Sequence, residues 1–374
     1  MKIESVELRN FRNYKALELK ADSNLNVFVG ANAQGKTNLL EALTFLAAGK
    51  SFRTRSETEM VQWGESFCTV AGKVIHQHGD SKLKISYNAQ TKHKSYIVNG
   101  KEQSKSALVR KFAAVLFTPE DLELVKGAPF LRRRFIDEEI CKVSPQYEYS
   151  LARYQQVVRQ RNQLLRTYRQ KIIDSDELAG WNEQLAKLSA AIIKKRLAAI
   201  HRLGLLARLV HRKLTGREES FELSYRTPLT IGEEAGEEEI FSAVMAGLAQ
   251  NKENEARQGQ TLVGPHRDDL ALRINGREAR HFASQGQQRT LVLALKMAEL
   301  EFFKGERGEF PVLLFDDVFS ELDERRRRLL VEAIDGRVQT FITGTEVEKM
   351  GRLRVSGTVF SVADGEVKKF EEGI

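Results

Sequence analysis

The sequence predicts an α/β fold that is built around a phosphate-binding loop and divided by a helical insertion. A short apolar strand at residues 27–29 runs into a glycine-rich loop, and an amphipathic helix follows at residues 37–48. A second apolar strand at residues 312–315 ends in two aspartates. The long separation of these two patterns, with apolar stripes at helical spacing between them, indicates one α/β core whose halves flank a helical region.

Composition indicates a globular, intracellular protein with a basic surface. The 374 residues are 41% hydrophobic and 29% charged, and no apolar run approaches the ~20 residues that a bilayer-spanning helix needs. Cys68 and Cys141 stand far apart in no metal-binding pattern, so we expect free thiols in a reducing compartment. The formal net charge of +8 favours a polyanionic partner.

The two α/β segments are expected to span residues 1–118 and 259–374. In the first, we predict strands at residues 68–74, 82–87 and 95–98, with a hairpin turn at Asn99-Gly100. In the second, Asn275-Gly276 marks another hairpin, and the pattern predicts helices at residues 284–303 and 325–334 and strands at residues 312–315 and 340–342.

The insertion is expected to span residues 119–258 and to contain two helices that pack against each other. Apolar side chains from Leu151 to Ile172 keep a heptad-like stripe that Arg161 interrupts once. Residues 174–176 break the pattern, and a similar stripe resumes at Trp181. Two antiparallel helices joined by a tight turn account for this spacing.

The glycine-rich loop matches G-x-x-x-x-G-K-[ST] in full. Its nucleotide-binding residues are expected to be Gly30, Ala31, Asn32, Ala33, Gln34, Gly35, Lys36, Thr37 and Asn38. The glycines allow backbone N–H groups to converge on phosphates, and the helix that follows adds partial positive charge. Lys36 would bridge the β- and γ-phosphates, and the Thr37 hydroxyl would bind Mg²⁺. The expected ligands are therefore ATP and Mg²⁺.

The strand at residues 312–315 supplies the second half of this site. Asp316, at the end of the strand, would lie beside the Mg²⁺. Asp317 would orient or deprotonate the attacking water, and with Lys36 it forms the expected catalytic pair. A helix-capping or solvated carboxylate is the alternative for Asp317.

A polar run, Ser284-Gln285-Gly286-Gln287-Gln288-Arg289, opens the long helix that precedes the second strand. A helix N-terminus of this composition can bind an anion. Taken by itself, Ser284 is equally well explained as an ordinary helix N-cap. Its position one helix length before the aspartates favours the functional interpretation.

Further stretches carry a family resemblance together with these motifs. They are NFRNY at residues 10–14, FTPEDL at 117–122, LRRRFID at 131–137 and VGPHRDD at 263–269. With them the chain resembles the ATP-binding-cassette (ABC) ATPases, in particular the heads of structural-maintenance-of-chromosomes (SMC) proteins, and within that group the RecF family of bacterial recombination mediators. The resemblance implies an ABC-type P-loop ATPase head, with a mixed sheet and two lobes, carrying an inserted α-helical arm.

The resemblance also implies an ATP-dependent homodimer. In such heads the signature run acts in trans, so Ser284, Gln285, Gly286 and Gln287 of one copy would contact the nucleotide held by the other. Ser320 and Asp323 fall where the family's D-loop crosses that interface. Arg12 of NFRNY would reach the bound nucleotide, although a surface arginine at a strand turn is the alternative. His266 and Arg267 would brace the signature helix, or His266 is a structural histidine.

The function implied is that of a DNA-binding ATPase of recombinational repair and replication restart. The ATP-bound dimer would clamp double-stranded DNA near single-strand gaps and, with RecR and RecO, promote RecA loading, and slow hydrolysis would reset it. We therefore expect a cytoplasmic, nucleoid-associated protein. The alternatives are a soluble ATPase subunit of a membrane transporter and another SMC-like head.

The chain departs from the transporter pattern at its switch residues. Asp317 stands where many transporters carry glutamate, and Thr343 stands where they carry a histidine. No glutamine is evident at the lobe boundary, where Glu120 and Asp121 are the candidates. These departures favour a slow switch over a motor.

Arginines in the insertion suggest where DNA would bind. The charged residues from Leu151 to Ile172 are all basic, and an arginine run precedes them. A helix so one-sided in charge repels itself unless a polyanion is near, although a solvated face is the alternative. The expected phosphate contacts are Arg132, Arg133, Arg153, Arg159, Arg161 and Arg166.

Overall fold

In the computed structural model the chain divides into two units. Met1–Asp121 and Glu299–Ile374 form the first unit, and Leu122–Ala298 forms the second. The structure describes residues 1–54, 56–77, 79–167, 175–216, 218–345 and 357–370, without the side chains of 175–177, 320 and 321. Within these residues, no helix combines the length and the apolar character that crossing a membrane requires.

Strands and helices are numbered in chain order. The strands are β1 (Lys2–Phe11), β2 (Tyr14–Lys20), β3 (Leu25–Val29), β4 (Phe67–His76), β5 (Gly79–Asn88), β6 (His93–Val98), β7 (Lys101–Gln103), β8 (Ala114–Phe117), β9 (Phe221–Arg226), β10 (Asp269–Ile274), β11 (Arg277–Glu278), β12 (Val312–Phe315), β13 (Thr340–Gly344), β14 (Gly357–Ala363) and β15 (Glu366–Lys369). The helices are α1 (Lys36–Ala48), α2 (Lys105–Val109), α3 (Glu123–Lys126), α4 (Pro129–Val143), α5 (Pro145–Thr167), α6 (Ser175–Thr215), α7 (Glu237–Gln250), α8 (Lys252–Gln258), α9 (Ala279–Phe282), α10 (Gln285–Arg307) and α11 (Glu324–Ile334).

The first unit contains two six-stranded sheets with α1 packed against both. One sheet is antiparallel, in the order β2-β1-β4-β5-β6-β7. The other has the order β15-β14-β3-β13-β12-β8, and all of its pairs are parallel except β14 with β15. Leu39, Leu43 and Leu46 of α1 are fully buried in one core with side chains of both sheets, so helical spacing at these positions directs them inward.

The predicted strands of this unit are confirmed, and so are both predicted Asn-Gly turns, one in each unit. β4, β5 and β6 cover the predicted residues and extend beyond them. Asn99 and Gly100 have φ values of 50° and 79°, the left-handed pair that a tight hairpin needs. Asn275 and Gly276, with 50° and 75°, make the same turn between β10 and β11.

The second unit combines helices with a small antiparallel sheet. α5 and the 41-residue α6 are the two predicted helices of the insertion. The buried stripe of α5 differs from the predicted one: Arg161 belongs to it, in series with Tyr154 and Leu165. The expected interruption of the stripe is therefore part of the core.

This unit also reaches further along the chain than the insertion predicted at residues 119–258. β9 lies within the predicted insertion and pairs with β10, which lies after it. The resulting sheet, in the order β11-β10-β9, brings the chain as far as Ala298 into the second unit. Because β9 and β10 are distant in sequence, their pairing gives no local sequence signal that the unit continues beyond residue 258.

Candidate nucleotide site

The glycine-rich loop connects β3, in the interior of the parallel sheet, to the N-terminus of α1. Gly35 has a φ of 113°, and Ala33 has 66°, so the loop uses left-handed backbone at two positions. A Cβ at Gly30 would stand 2.2 Å from the carbonyl oxygen of Val362 in β14. The first glycine is therefore required by space and Gly35 by its backbone angle.

Lys36 is bound to its own loop. Its side-chain ammonium donates to the carbonyl oxygens of Gly30 and Ala31, both at 2.8 Å, and only 4% of the residue is exposed. These main-chain acceptors hold the charge at the mouth of the loop. Phosphate oxygens could replace them, since an ammonium donates to phosphate more strongly than to a neutral carbonyl.

The turn between β1 and β2 supports the loop from outside. Asn13 donates through Nδ2 to the carbonyl of Gln34 at 3.0 Å, and the Tyr14 hydroxyl donates to that of Gly35 at 3.0 Å. Asn13 also accepts from Asn38 at 2.8 Å. In the sequence the NFRNY stretch is a family signature, but its pattern predicts no role for Asn13 and Tyr14.

Arg12, in the same turn, lies beside α1. Its guanidinium donates to both carboxylate oxygens of Glu41 at 2.7 and 2.9 Å and to the Glu59 carbonyl at 2.7 Å. Glu41 is fully buried, so this pair joins the turn to the helix that carries Lys36 and Thr37. A contact of Arg12 with nucleotide stays a prediction.

The second half of the site lies two strands away from the loop. β13 lies between β3 and β12 and pairs in parallel with both, so the strand ends that carry the loop and Asp316 lie at the same edge of the sheet. The Thr37 hydroxyl donates to Oδ1 of Asp316 at 2.8 Å. Thr343, at the end of β13, is buried and donates to the same oxygen at 3.0 Å.

This hydroxyl–carboxylate pair suits a magnesium ion. Burial raises the pKa of Asp316, and the hydrogen bonds from Thr37 and Thr343 oppose that rise. A cation would likewise favour the charged carboxylate. Within the described residues no group of three or more His, Cys, Asp or Glu side chains could hold a metal. Phosphate oxygens and water would have to complete the coordination of a magnesium ion here.

Asp317 follows with backbone that is unusual for an aspartate. Its φ is 53°, and its N–H donates to the Thr343 hydroxyl at 3.0 Å. Its side chain makes no capping bond to the short 3₁₀ turn that begins after it, so capping does not explain this residue. Thr343 thus contacts both aspartate positions, although its place as a substitute for the transporter histidine stays a prediction, as does that of Glu120.

The signature run begins α10, in the second unit. The Ser284 side chain accepts from the Gln287 N–H at 3.2 Å, and the Gln287 side chain accepts from the Ser284 N–H at 2.8 Å. This reciprocal capping box satisfies two backbone N–H groups at the N-terminus of α10. Ser284 and Gln285 are exposed and Gly286 is partly exposed, so the N-cap interpretation and a role in trans are compatible.

The predicted D-loop is described in part. Asp323 caps α11 by accepting from the Arg326 N–H at 2.8 Å. The side chain of Ser320 lies outside the described residues.

Two of the expected DNA contacts are wrong. Arg161 is 2% exposed and donates to Glu255 at 2.6 Å, and Arg132 is 5% exposed and holds both oxygens of Asp269 at 2.7 and 2.8 Å. Both guanidinium groups are therefore buried and engaged by carboxylates of their own chain. Arg133 is half-buried on the Asp268 carbonyl, and burial lowers its pKa. Arg153, Arg159 and Arg166 of α5 are exposed.

The two arginine- and aspartate-rich motifs pack against each other. Arg132 and Arg133 of LRRRFID bind Asp269 and Asp268 of VGPHRDD. Arg196 of α6 is buried too, and it holds Asp137 of the first motif through both carboxylate oxygens, each at 2.8 Å. These stretches are thus a structural network of the second unit, which their separation in sequence concealed.

His266, in the VGPHRDD stretch, is a structural histidine. Its Nδ1 lies 2.5 Å from the Tyr154 hydroxyl, and its Nε2 lies 3.1 Å from the Thr261 carbonyl. Since Nε2 must donate to the carbonyl, Nδ1 accepts from the tyrosine. Burial lowers the pKa of His266 to about 4.

Comparison with known proteins agrees with this geometry. The sequence profile of the RecF/RecN/SMC N-terminal domain matches residues 2–368. A protein of Natranaerobius thermophilus named DNA replication and repair protein RecF is 44% identical over 100% of this chain and 99% of its own length. The chain belongs to the RecF family. A RecF protein of Halothermothrix orenii is 42% identical over 99% of this chain and 100% of its own.

Solved structures give the same result for the fold. The recombination mediator protein RecF with ATP, in the RecFOR pathway, superposes with a TM-score of 0.91 at 34% identity and covers 99% of this chain and 97% of its own. An SMC head domain from Pyrococcus furiosus superposes with a TM-score of 0.58 at 17% identity, over 99% of this chain and 96% of its own. The fold is therefore an ABC-type ATPase head with a helical arm, as predicted.

Proposed function

We propose that this chain is an ATP-gated DNA-binding protein of recombinational repair and replication restart, which hydrolyses ATP slowly to reset itself. The observation that carries the proposal is the convergence of Lys36, Thr37 and Asp316 at one edge of the parallel sheet, with Thr37 and Asp316 joined at 2.8 Å. Membership of a family with an ATP-bound relative supports ATP as the ligand.

The roles of the site residues follow from their chemistry. The N–H groups of residues 30–38 and the Lys36 ammonium would bind the phosphates, and Thr37 and Asp316 would hold Mg²⁺, which neutralises charge on the phosphates when bound. Asp317 would orient or deprotonate the attacking water. Its shorter side chain, compared with glutamate, suits slow turnover.

The same nucleotide would join two copies of the chain. Ser284, Gln285, Gly286 and Gln287 lie at an exposed helix N-terminus, where N–H groups and the helix dipole favour an anion. We propose that this run binds the γ-phosphate held by the partner copy, with Ser320 and Asp323 at the same interface. Loss of the γ-phosphate would then open the dimer.

The helical arm offers a surface for duplex DNA. Arg153, Arg159 and Arg166 are exposed on α5. Residues 184–215, which form most of α6, contain no acidic residue, and Lys195, Arg212 and Lys213 are exposed there. We propose that these cations contact phosphates without reading bases.

The biological task follows from the relatives. Solved relatives are described as recombination mediators of the RecFOR pathway. We propose that the ATP-bound dimer recognises double-stranded DNA next to single-strand gaps, binds RecR and, together with RecO, promotes RecA loading.

The variant Ser284→Arg tests the dimer. We expect its monomer to bind ATP with unchanged affinity, because Ser284 contacts only the partner's nucleotide, whereas ATP-dependent association is lost. Calorimetry and light scattering measure the two quantities. Ser104→Arg is the matched control, since Ser104 caps α2 in the same way and lies outside the proposed interface. Dimerisation of Ser284→Arg at wild-type concentrations would contradict the proposal.

A further inference from the structure

Gln287 uses both ends of its side-chain amide. Its Oε1 accepts from the Ser284 N–H at 2.8 Å and thereby closes the capping box. Its Nε2 donates to Oε1 of Glu219 at 2.8 Å. A carboxylate can only accept, so Glu219 fixes which end of the amide faces Ser284. If the amide were reversed, its NH₂ group would meet the Ser284 N–H, and the capping box would open.

On its other side, Glu219 lies next to a buried histidine. Its side chain is 20% exposed, and Oε2 lies 3.5 Å from Nε2 of His211 on α6. His211 is fully buried, and its ring lies 5.7 Å from that of Phe221. The carboxylate is therefore placed between the end of a long helix and the first turn of α10.

The first three residues of the signature run, which precede the buried Gln288, have little packing to hold them. Ser284 and Gln285 are exposed, and a Cβ added at Gly286 would meet nothing closer than the Ser284 hydroxyl at 4.0 Å. An exposed helix N-terminus with few packing contacts is held mainly by its hydrogen bonds. The bond from Gln287 to Glu219 connects it to the rest of the second unit.

We propose that Glu219 is a positioning residue for the signature run. By orienting the Gln287 amide, it keeps the Ser284 hydroxyl and the first N–H groups of α10 in the arrangement that receives the partner's γ-phosphate. Glu219 touches no nucleotide itself. The inference rests on the proposed function, because it assigns a purpose to a run that acts in trans.

The test compares Glu219→Ala with Glu219→Gln in the full-length protein and a non-hydrolysable ATP analogue. We expect Glu219→Ala to weaken dimerisation about tenfold, the effect of losing one charge-assisted hydrogen bond. Glu219→Gln should restore most of the affinity, since its amide oxygen still accepts. Monomer affinity for the analogue should not change. Glu218→Ala is the matched control, because Glu218 is an exposed neighbour.

A second variant keeps the test decisive if Glu219→Ala folds poorly. Gln287→Ala removes the same bond from the loop side, and in combination with Glu219→Ala it should cost little more than either change alone. Wild-type affinity in Glu219→Ala, or equal losses in Ala and Gln variants, would overturn the role of Glu219 while leaving the dimer intact. A wild-type protein that stays monomeric with the analogue would overturn both proposals.

Discussion

Charged side chains have different hydrogen-bond partners in the nucleotide site and in the helical arm. At the nucleotide site, the Lys36 ammonium is held by two neutral carbonyls, and Thr37 and Thr343 donate to a single oxygen of Asp316. In the arm, the guanidinium groups of Arg132, Arg161 and Arg196 are buried, and each is bound by a carboxylate.

The type of acceptor distinguishes charged groups that can bind a ligand from charged groups that stabilise the fold. A cation on neutral acceptors can exchange them for phosphate at little cost, whereas a buried cation that loses its carboxylate is left uncompensated. Basic composition alone therefore does not identify a DNA surface. Exposure and the type of acceptor do.

The largest effect is expected from a substitution that breaks a buried ion pair in the helical arm. Arg161→Ala should lower the free energy of unfolding by about 3–5 kcal/mol, because it leaves the buried Glu255 carboxylate unpaired. The exposed Arg159, two positions earlier, is the control, and Arg159→Ala should change stability by no more than about 0.5 kcal/mol. Urea unfolding measures both. Similar values for the two variants would show that Arg161 is not structural.

A smaller effect concerns the pH dependence of the same region. The pKa of His266 is lowered from 6.5 to about 4, so its neutral form contributes stability that is present above pH 6.5 and lost as pH falls towards 4. We expect wild type to lose about 2–3 kcal/mol from this group over that interval. His266→Gln should flatten the pH profile, whereas His93→Gln, at an exposed position, should follow wild type. Parallel profiles for all three proteins would contradict the assignment.

The smallest effect is expected from replacing exposed arginines of α5, which should change only the salt dependence of DNA binding. Replacing Arg153, Arg159 and Arg166 together by Gln should reduce the slope of log K against log salt for duplex binding by about 2–3, since each lost phosphate contact removes about 0.9. Stability should change little. Replacing Lys15, Lys20 and Lys101, which are exposed in the first unit, is the matched control. An unchanged slope in the arginine variant would place DNA on another surface.

The sequence predicted those parts of the molecule whose signal is local. The loop at residues 30–37, the strand before Asp316 and the two Asn-Gly turns each depend on a few adjacent residues. Arg161 could not be interpreted in this way, because its acceptors Glu255 and Thr261 are 94 and 100 residues distant. A charged residue on an apolar stripe predicts an interruption of that stripe, whereas a buried ion pair explains Arg161.

The supports of the nucleotide loop were missed for a similar reason. Asn13 and Tyr14 reach the carbonyls of Gln34 and Gly35 across 21 residues. Their types and spacing match no phosphate-binding pattern, since they bind the loop and not its ligand. The NFRNY stretch was the available signal, and its position in a turn beside the loop gives it a physical meaning.

The central claim is that Lys36 of one copy and Ser284 of another complete one nucleotide site. Mixing Lys36→Ala with Ser284→Arg tests it most directly, with one variant enlarged by a fusion so that mass distinguishes the dimers. We expect each variant alone to stay monomeric with a non-hydrolysable ATP analogue, and the mixture to form heterodimers that hold one nucleotide in their single intact site. A mixture that remains monomeric, or a Lys36→Ala protein that dimerises alone, would contradict it.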